Sequence, residues 1–138
     1  VVTITGSGSA QKPGSQEPPA LDPYLEGCPT RRVLDRIGDR WTVLIVGALA
    51  EGPRRFTEIR RQVAGISQKM LTQTLRGLEQ DGLVTRTVYA EVPPRVEYEL
   101  TEAGSTLREP LKALEQWSID HFGDIERSWA AFDERGSA

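Results

Sequence analysis

The stretch Ile66–Gly82, ISQKMLTQTLRGLEQDG, gathers side chains suited to nucleic acid. Lys69 and Arg76 can meet phosphate oxygens or the acceptor edge of guanine. Gln73 can pair with adenine, and Thr72 can touch phosphate or a thymine methyl. Ser67 and Gln68 stand beside them at the start of the stretch. Read at helical period, Lys69, Thr72, Gln73 and Arg76 share one face, while Leu71, Leu75 and Leu78 form an apolar stripe on the other. The stripe needs a core. The polar face, with one Lys and one Arg, could be merely solvated, so its neighbours must decide.

Those neighbours are basic. Arg54, Arg55, Arg60, Arg61, Lys69 and Arg76 face only Glu58 in acidic opposition, whereas eight acidic residues oppose four basic ones from Thr101 onward. The whole chain of 138 residues carries a net charge of -3, and its pI is about 5.3, so no bulk attraction to nucleic acid exists. Screening limits each charge's reach to about 10 Å, so the basic island acts locally despite the acidic remainder.

The elements that must position these residues can be read in order. Residues 1–20 are rich in Gly, Ser, Pro and Gln and read as a flexible tail. Residues 21–138 suit one domain. Pro29 suits the first position of a helix, with Cys28 as its N-cap and Val33, Leu34 and Ile37 on its apolar side. Asp39 caps a second helix carrying Trp41, Leu44, Ile45, Ala48 and Leu49. EGPRR reads as a loop and FTEIRRQV as a third helix; Gly65 stops that helix, and Ser67 caps the fourth. The period then changes to two: LVTRTVY and VEYEL are strands joined by AEVPPR. Thr101 caps a long helix with Leu107, Leu111, Leu114 and Trp117 on one stripe, kinked at Pro110, and helical structure runs almost to the end.

This order predicts a mostly α protein with a small β-hairpin: a winged helix-turn-helix. In that fold the second helix of the pair enters the major groove, and the hairpin reaches flanking backbone or minor groove. Lys69, Thr72, Gln73 and Arg76 would then read DNA, with Ser67 and Gln68 at the helix start. Arg54 and Arg55 would hold phosphate, and Arg95, beside Pro93 and Pro94, would act as a finger at the wing.

The single cysteine rules out an intrachain disulfide framework and fits a reducing cytoplasm. No apolar run reaches membrane-spanning length, and the opening segment lacks the order of a signal peptide. No nucleophile–base pair, metal-ligand spacing or Gly-rich phosphate loop suggests an enzyme, and no cofactor is expected.

Three segments, CPTRRVLDRIGDRWTVLIVGAL, GPRRFTEIRRQVAGISQKMLTQTLRGLEQDGLVTR and YAEVPPRVEYELTEAG, together resemble the HxlR family of bacterial winged-helix regulators over about Cys28 to Trp117. The resemblance implies a homodimeric cytoplasmic regulator of the broad MarR-like type, with the first and the C-terminal helices at the interface. The stripe of Leu107, Leu111, Leu114 and Trp117 agrees, being longer than a small winged domain would cover by itself. The expected partner is a pseudo-palindromic double-stranded operator, and the expected activity is repression. Several members of the family sense oxidants or electrophiles through a cysteine matching Cys28. A helix N-terminus with Arg31 and Arg32 nearby would lower its thiol pKa, although a small residue packed before Pro29 is the plainer reading. Two alternatives stay open: a small-molecule inducer in a dimer pocket, and a winged-helix protein-interaction module that does not bind DNA. Trp41 and Trp117 are expected to be core residues, with ligand-pocket walls as the alternative, and His121 a structural or dimer-contact residue.

Overall fold

The computed structural model describes residues 21–136, and the flexible tail expected over residues 1–20 lies outside the described residues. Among the described residues nine elements follow one another: α1 (Thr30–Ile37), α2 (Arg40–Leu49), β1 (Arg54–Arg55), α3 (Phe56–Gln62), α4 (Gln68–Gln80), β2 (Val84–Tyr89), β3 (Arg95–Leu100), α5 (Glu102–Thr106) and α6 (Arg108–Gly136). The winged helix-turn-helix expected from the pattern is present: α3 and α4 form the helix pair, and β2 and β3 form the wing.

Local chemistry sets most boundaries. Asp39 caps α2 by accepting from the Trp41 N–H at 2.7 Å. Ser67 Oγ accepts from the Met70 N–H at 3.0 Å and opens α4. Between α3 and α4, Gly65 adopts φ +88°, a conformation that side chains with a Cβ rarely take, and so permits the tight turn. Thr101 Oγ1 accepts from the Gly104 N–H and donates to the Gly82 carbonyl, tying the start of α5 to the end of α4.

The core lies where α2, α3 and α4 meet the inner end of the sheet. Ile45, Leu49, Ile59, Leu71, Leu75, Leu78 and Val84 are buried together there, with Trp41, Phe56, Tyr98 and Leu100 packed against them. Trp41 thus takes its expected place at the core, and Arg40 stacks its guanidinium over the indole at 4.4 Å.

Several expectations are corrected. EGPRR is not all loop: Arg54 and Arg55 form a short strand, giving a three-stranded antiparallel sheet in the order β1-β3-β2. Two residues carry no period of their own, and pairing with β3 makes them a strand. Cys28 is not the N-cap. Pro29 holds that position without a side-chain bond, and Cys28 precedes it in a turn whose carbonyl accepts from the Arg31 N–H. Pro110 does not kink a continuous helix. The chain breaks at Leu107, between α5 and α6, and Pro110 falls in the first turn of α6, where its missing N–H costs little.

The long stripe is only partly covered. Leu111 is buried and Leu107 half-buried, but Leu114 is 53% exposed and Trp117 52%, so Trp117 is not a core residue of this chain. It stacks instead on His121, with ring centroids 4.6 Å apart. Helix α1 buries none of its residues; Val33 and Leu34 lie open. No helix among the described residues is long and apolar enough to cross a membrane.

Candidate nucleic-acid interface

Helix α4 separates its two chemistries cleanly. Leu71, Thr74, Leu75, Gly77 and Leu78 are buried, while Gln68, Lys69, Gln73 and Arg76 are exposed on the far side. The reason is the 3.6-residue period: burying the leucines forces the intervening polar residues outward. Thr72 is half-buried, and its hydroxyl donates to the Gln68 carbonyl at 2.8 Å. That bond occupies the hydroxyl hydrogen and leaves the methyl and the oxygen lone pairs for a partner. Ser67 Oγ is engaged in capping, as above.

The sheet stands beside this helix. In the β2–β3 register Val84 pairs with Leu100, Arg86 with Tyr98 and Val88 with Val96. Paired residues of an antiparallel ladder share a face, so Val84, Arg86 and Val88 line one side with Val96, Tyr98 and Leu100. Val84 enters the core, Arg86 lies at its rim and Val88 is exposed toward the wing tip. Between this face and α4 runs an open groove of about 560 Å³, bordered by Gln68, Thr72 and Arg76 from the helix and by Arg86, Val96 and Tyr98 from the sheet. Arg86 is therefore a groove residue absent from the sequence-based set. The available signal is strand parity, which places it across from Tyr98 once the hairpin register is known.

The same parity separates the other arginines. Arg54 pairs with Tyr98 and shares the groove-side face with Arg86, whereas Arg55 pairs with Glu97 on the opposite face. Arg54 is half-buried and reaches Glu51 at 3.4 Å. Arg55 is exposed, and its backbone N–H donates to the Glu58 carboxylate, which strengthens the start of α3. Arg95 does not stand out as a free finger. Its guanidinium lies 4.1 Å from the Tyr89 ring centroid, with Glu91 at 3.4 Å and Glu97 at 3.7 Å, all on the wing. The structure thus brings Gln68, Thr72, Arg76 and Arg86 to one groove with Lys69 and Gln73 on the adjoining helix face, and turns Arg55 and Arg95 away from it.

Cys28 lies apart from this surface, before α1. Its Sγ is 3.1 Å from Thr30 Oγ1. The thiol pKa is lowered, first by the Thr30 side-chain bond, then by the Thr30 backbone, and further by an Asp22 backbone bond and the Arg31 charge; partial burial opposes them. Arg31 is itself held by the Pro23 and Tyr24 carbonyls at 2.7 and 3.0 Å. The expected contribution of a helix cap is replaced by the Thr30 hydroxyl.

Comparison with known proteins agrees with this architecture. The model of the HxlR-like helix-turn-helix family matches residues 36–126. The uncharacterized HTH-type transcriptional regulator YtfH of Escherichia coli is 49% identical over 94 residues, covering 68% of this chain and 75% of that protein. The structure of the transcriptional regulator YtfH from Salmonella typhimurium superposes with a TM-score of 0.74 at 40% identity, covering 79% of this chain and 97% of that one. The redox regulator HypR in its oxidized form superposes with a TM-score of 0.63 at 44% identity, covering 67% and 96%. With the helix pair, the wing and this kinship in place, the chain belongs to the HxlR-like helix-turn-helix family and is a transcriptional regulator, not an enzyme.

Proposed function

We propose that the chain acts in the cytoplasm as a homodimeric repressor that binds a pseudo-palindromic double-stranded DNA operator. The observation that carries this is the division of α4: its leucines are consumed by the core, and its opposite face offers Lys69, Gln73 and Arg76 beside a groove that Arg86 borders. In the major groove Gln73 would pair with adenine, Arg76 with guanine or phosphate, and the Thr72 methyl with thymine. Ser67, Gln68 and Lys69 at the helix start, with Arg54 and Arg86 on the sheet, would hold phosphates. Arg55 and Arg95 would serve only the flanking backbone, and Arg95 must first exchange Glu91 and Glu97 for DNA. The exposed Val33 and Leu34 of α1 and Leu114 and Trp117 of α6 support a dimer. Its two α4 helices would lie about 34–36 Å apart or a multiple of that.

The same proposal includes Cys28 as an oxidant sensor. Its lowered thiol pKa and the likeness to HypR support that role. With one cysteine per chain, an oxidant such as diamide would take two electrons from two thiols. The disulfide would join Cys28 to a partner copy or to a small thiol. A second reading of the signal, a small-molecule inducer, rests on the open cleft of about 320 Å³ between Val43, Val46 and Gly47 of α2 and Arg108, Leu111 and Lys112 of α6.

The test of the DNA reading is a salt titration of native, Lys69→Ala and Arg76→Ala proteins against a duplex selected by the native protein from a random pool. Loss of a base contact should cost about 1–3 kcal/mol and relax preference at one position, whereas loss of a phosphate contact should flatten the salt slope. Unchanged affinity in both variants would return this face to solvent and favour a protein-interaction module.

A further inference from the structure

Helix α1 and the C-terminal end of α4 stand on either side of an open groove of about 550 Å³, bordered by Arg32 and Val33 on one side and by Gln80 and Leu83 on the other. Arg36 crosses it. Its Nε–H donates to Asp81 Oδ2 at 2.8 Å, joining residues 45 positions apart. The pair is about three-quarters covered, with side-chain exposures of 27% and 26%.

On its way Arg36 passes over Gly77. A Cβ added at residue 77 would fall 2.1 Å from the Arg36 Nη1 and 2.3 Å from its Cζ, so the guanidinium occupies the space a side chain would need. Gly77 lies inside α4, where glycine is a poor helix former. Here the missing side chain admits the arginine.

We propose that Arg36 is a positioning residue that fixes how α4 is presented to DNA relative to α1. This rests on the DNA reading above. The physical argument is directional. Burial of Leu71, Leu75 and Leu78 decides which face of α4 turns inward, but apolar contact is non-directional and constrains the tilt of the helix end weakly. A charge-assisted hydrogen bond at Asp81, reached through the space that Gly77 leaves open, is directional and ties that end to α1. A shift of α1 is then passed to the end of α4 across a gap that packing does not fill.

The test uses the full chain and two duplexes: one selected by the native protein from a random pool, and a scrambled duplex of equal length and composition. Arg36→Ala and Gly77→Ala should each weaken binding of the selected duplex by roughly tenfold, with binding of the scrambled duplex retained. The double variant should be no weaker than Arg36→Ala alone, because the methyl group added at position 77 then fills space the arginine has left. Circular dichroism at the assay temperature establishes that each variant is folded. If either loses its fold, Asp81→Asn, which keeps the guanidinium over Gly77 and removes only the charge, should still lower discrimination between the duplexes. Unchanged discrimination in folded variants, equal losses on both duplexes, or additive losses in the double variant would each overturn the proposal. A native protein that enriches no duplex at all would remove the DNA reading and the positioning role with it, an outcome distinct from native enrichment with indifferent variants.

Discussion

Helices α4 and α6 are both amphipathic, and the fold treats them differently. In α4 the three leucines of the stripe are buried within the chain. In α6, which runs over 29 residues, Leu111 alone is buried, while Leu114, Trp117, Phe122, Trp129 and Phe132 remain open, Phe132 at 68% exposure. An apolar stripe by itself therefore does not say what covers it. The stripe of α4 meets α2, α3 and β2. That of α6 extends beyond the reach of α2, which has only ten residues, so most of it is left uncovered by the described residues. Open apolar area on this scale supports the proposed dimer.

The contrast can be tested by cutting each stripe. Leu75→Ala should give the largest effect, lowering stability by about 2–5 kcal/mol through the lost burial and the cavity left behind. Urea unfolding should show this loss at every protein concentration. Trp117→Ala should leave the core of the chain intact and weaken self-association, by about 2 kcal/mol if the indole is an anchor of the interface. Sedimentation would show a shift toward monomer, and the drop in melting temperature relative to the native protein would shrink on dilution, as both proteins dissociate. A loss from Trp117→Ala that ignores concentration would place the stripe in an intrachain core and erase the contrast.

A smaller effect concerns the start of α1, which like most of α6 lies outside the core. Thr30→Val removes the hydroxyl that chiefly lowers the Cys28 thiol pKa, so that pKa should rise toward its ordinary value. The thiolate is the nucleophile, and a lowered pKa keeps it populated to lower pH. The pH profile of alkylation by iodoacetamide should therefore have its midpoint at higher pH in Thr30→Val than in the native protein. Coincident midpoints would assign the lowering to another cause. Cys28→Ser should in turn abolish any diamide-induced loss of DNA affinity while leaving DNA binding in place.

How far each region can be read from sequence follows from the range of its interactions. The caps at Asp39, Ser67 and Thr101 bind N–H groups two or three residues away, so their chemistry is written in adjacent letters. The α4 faces follow from a period that a single helix imposes on itself. Strand β1 escapes a sequence reading because Arg54 and Arg55 become a strand only through Tyr98 and Glu97, more than forty positions later. Arg86 escapes it for the same reason, and Arg95 reads as free because Glu91, Glu97 and Tyr89 close on it only when the wing folds.

The sequence alone determined the order of the first four helices, the change to strand period, the basic island and the two chemistries of α4, since each is a local consequence of side-chain spacing. Only the tertiary structure decided which cations share a groove, that the Leu107–Trp117 stripe is covered mainly at Leu111, and that Arg36 reaches across Gly77 to Asp81. Those outcomes depend on strand register and on the distance between helices. Both are settled when segments far apart in the chain pack together, and neither leaves a period in the sequence of any one segment.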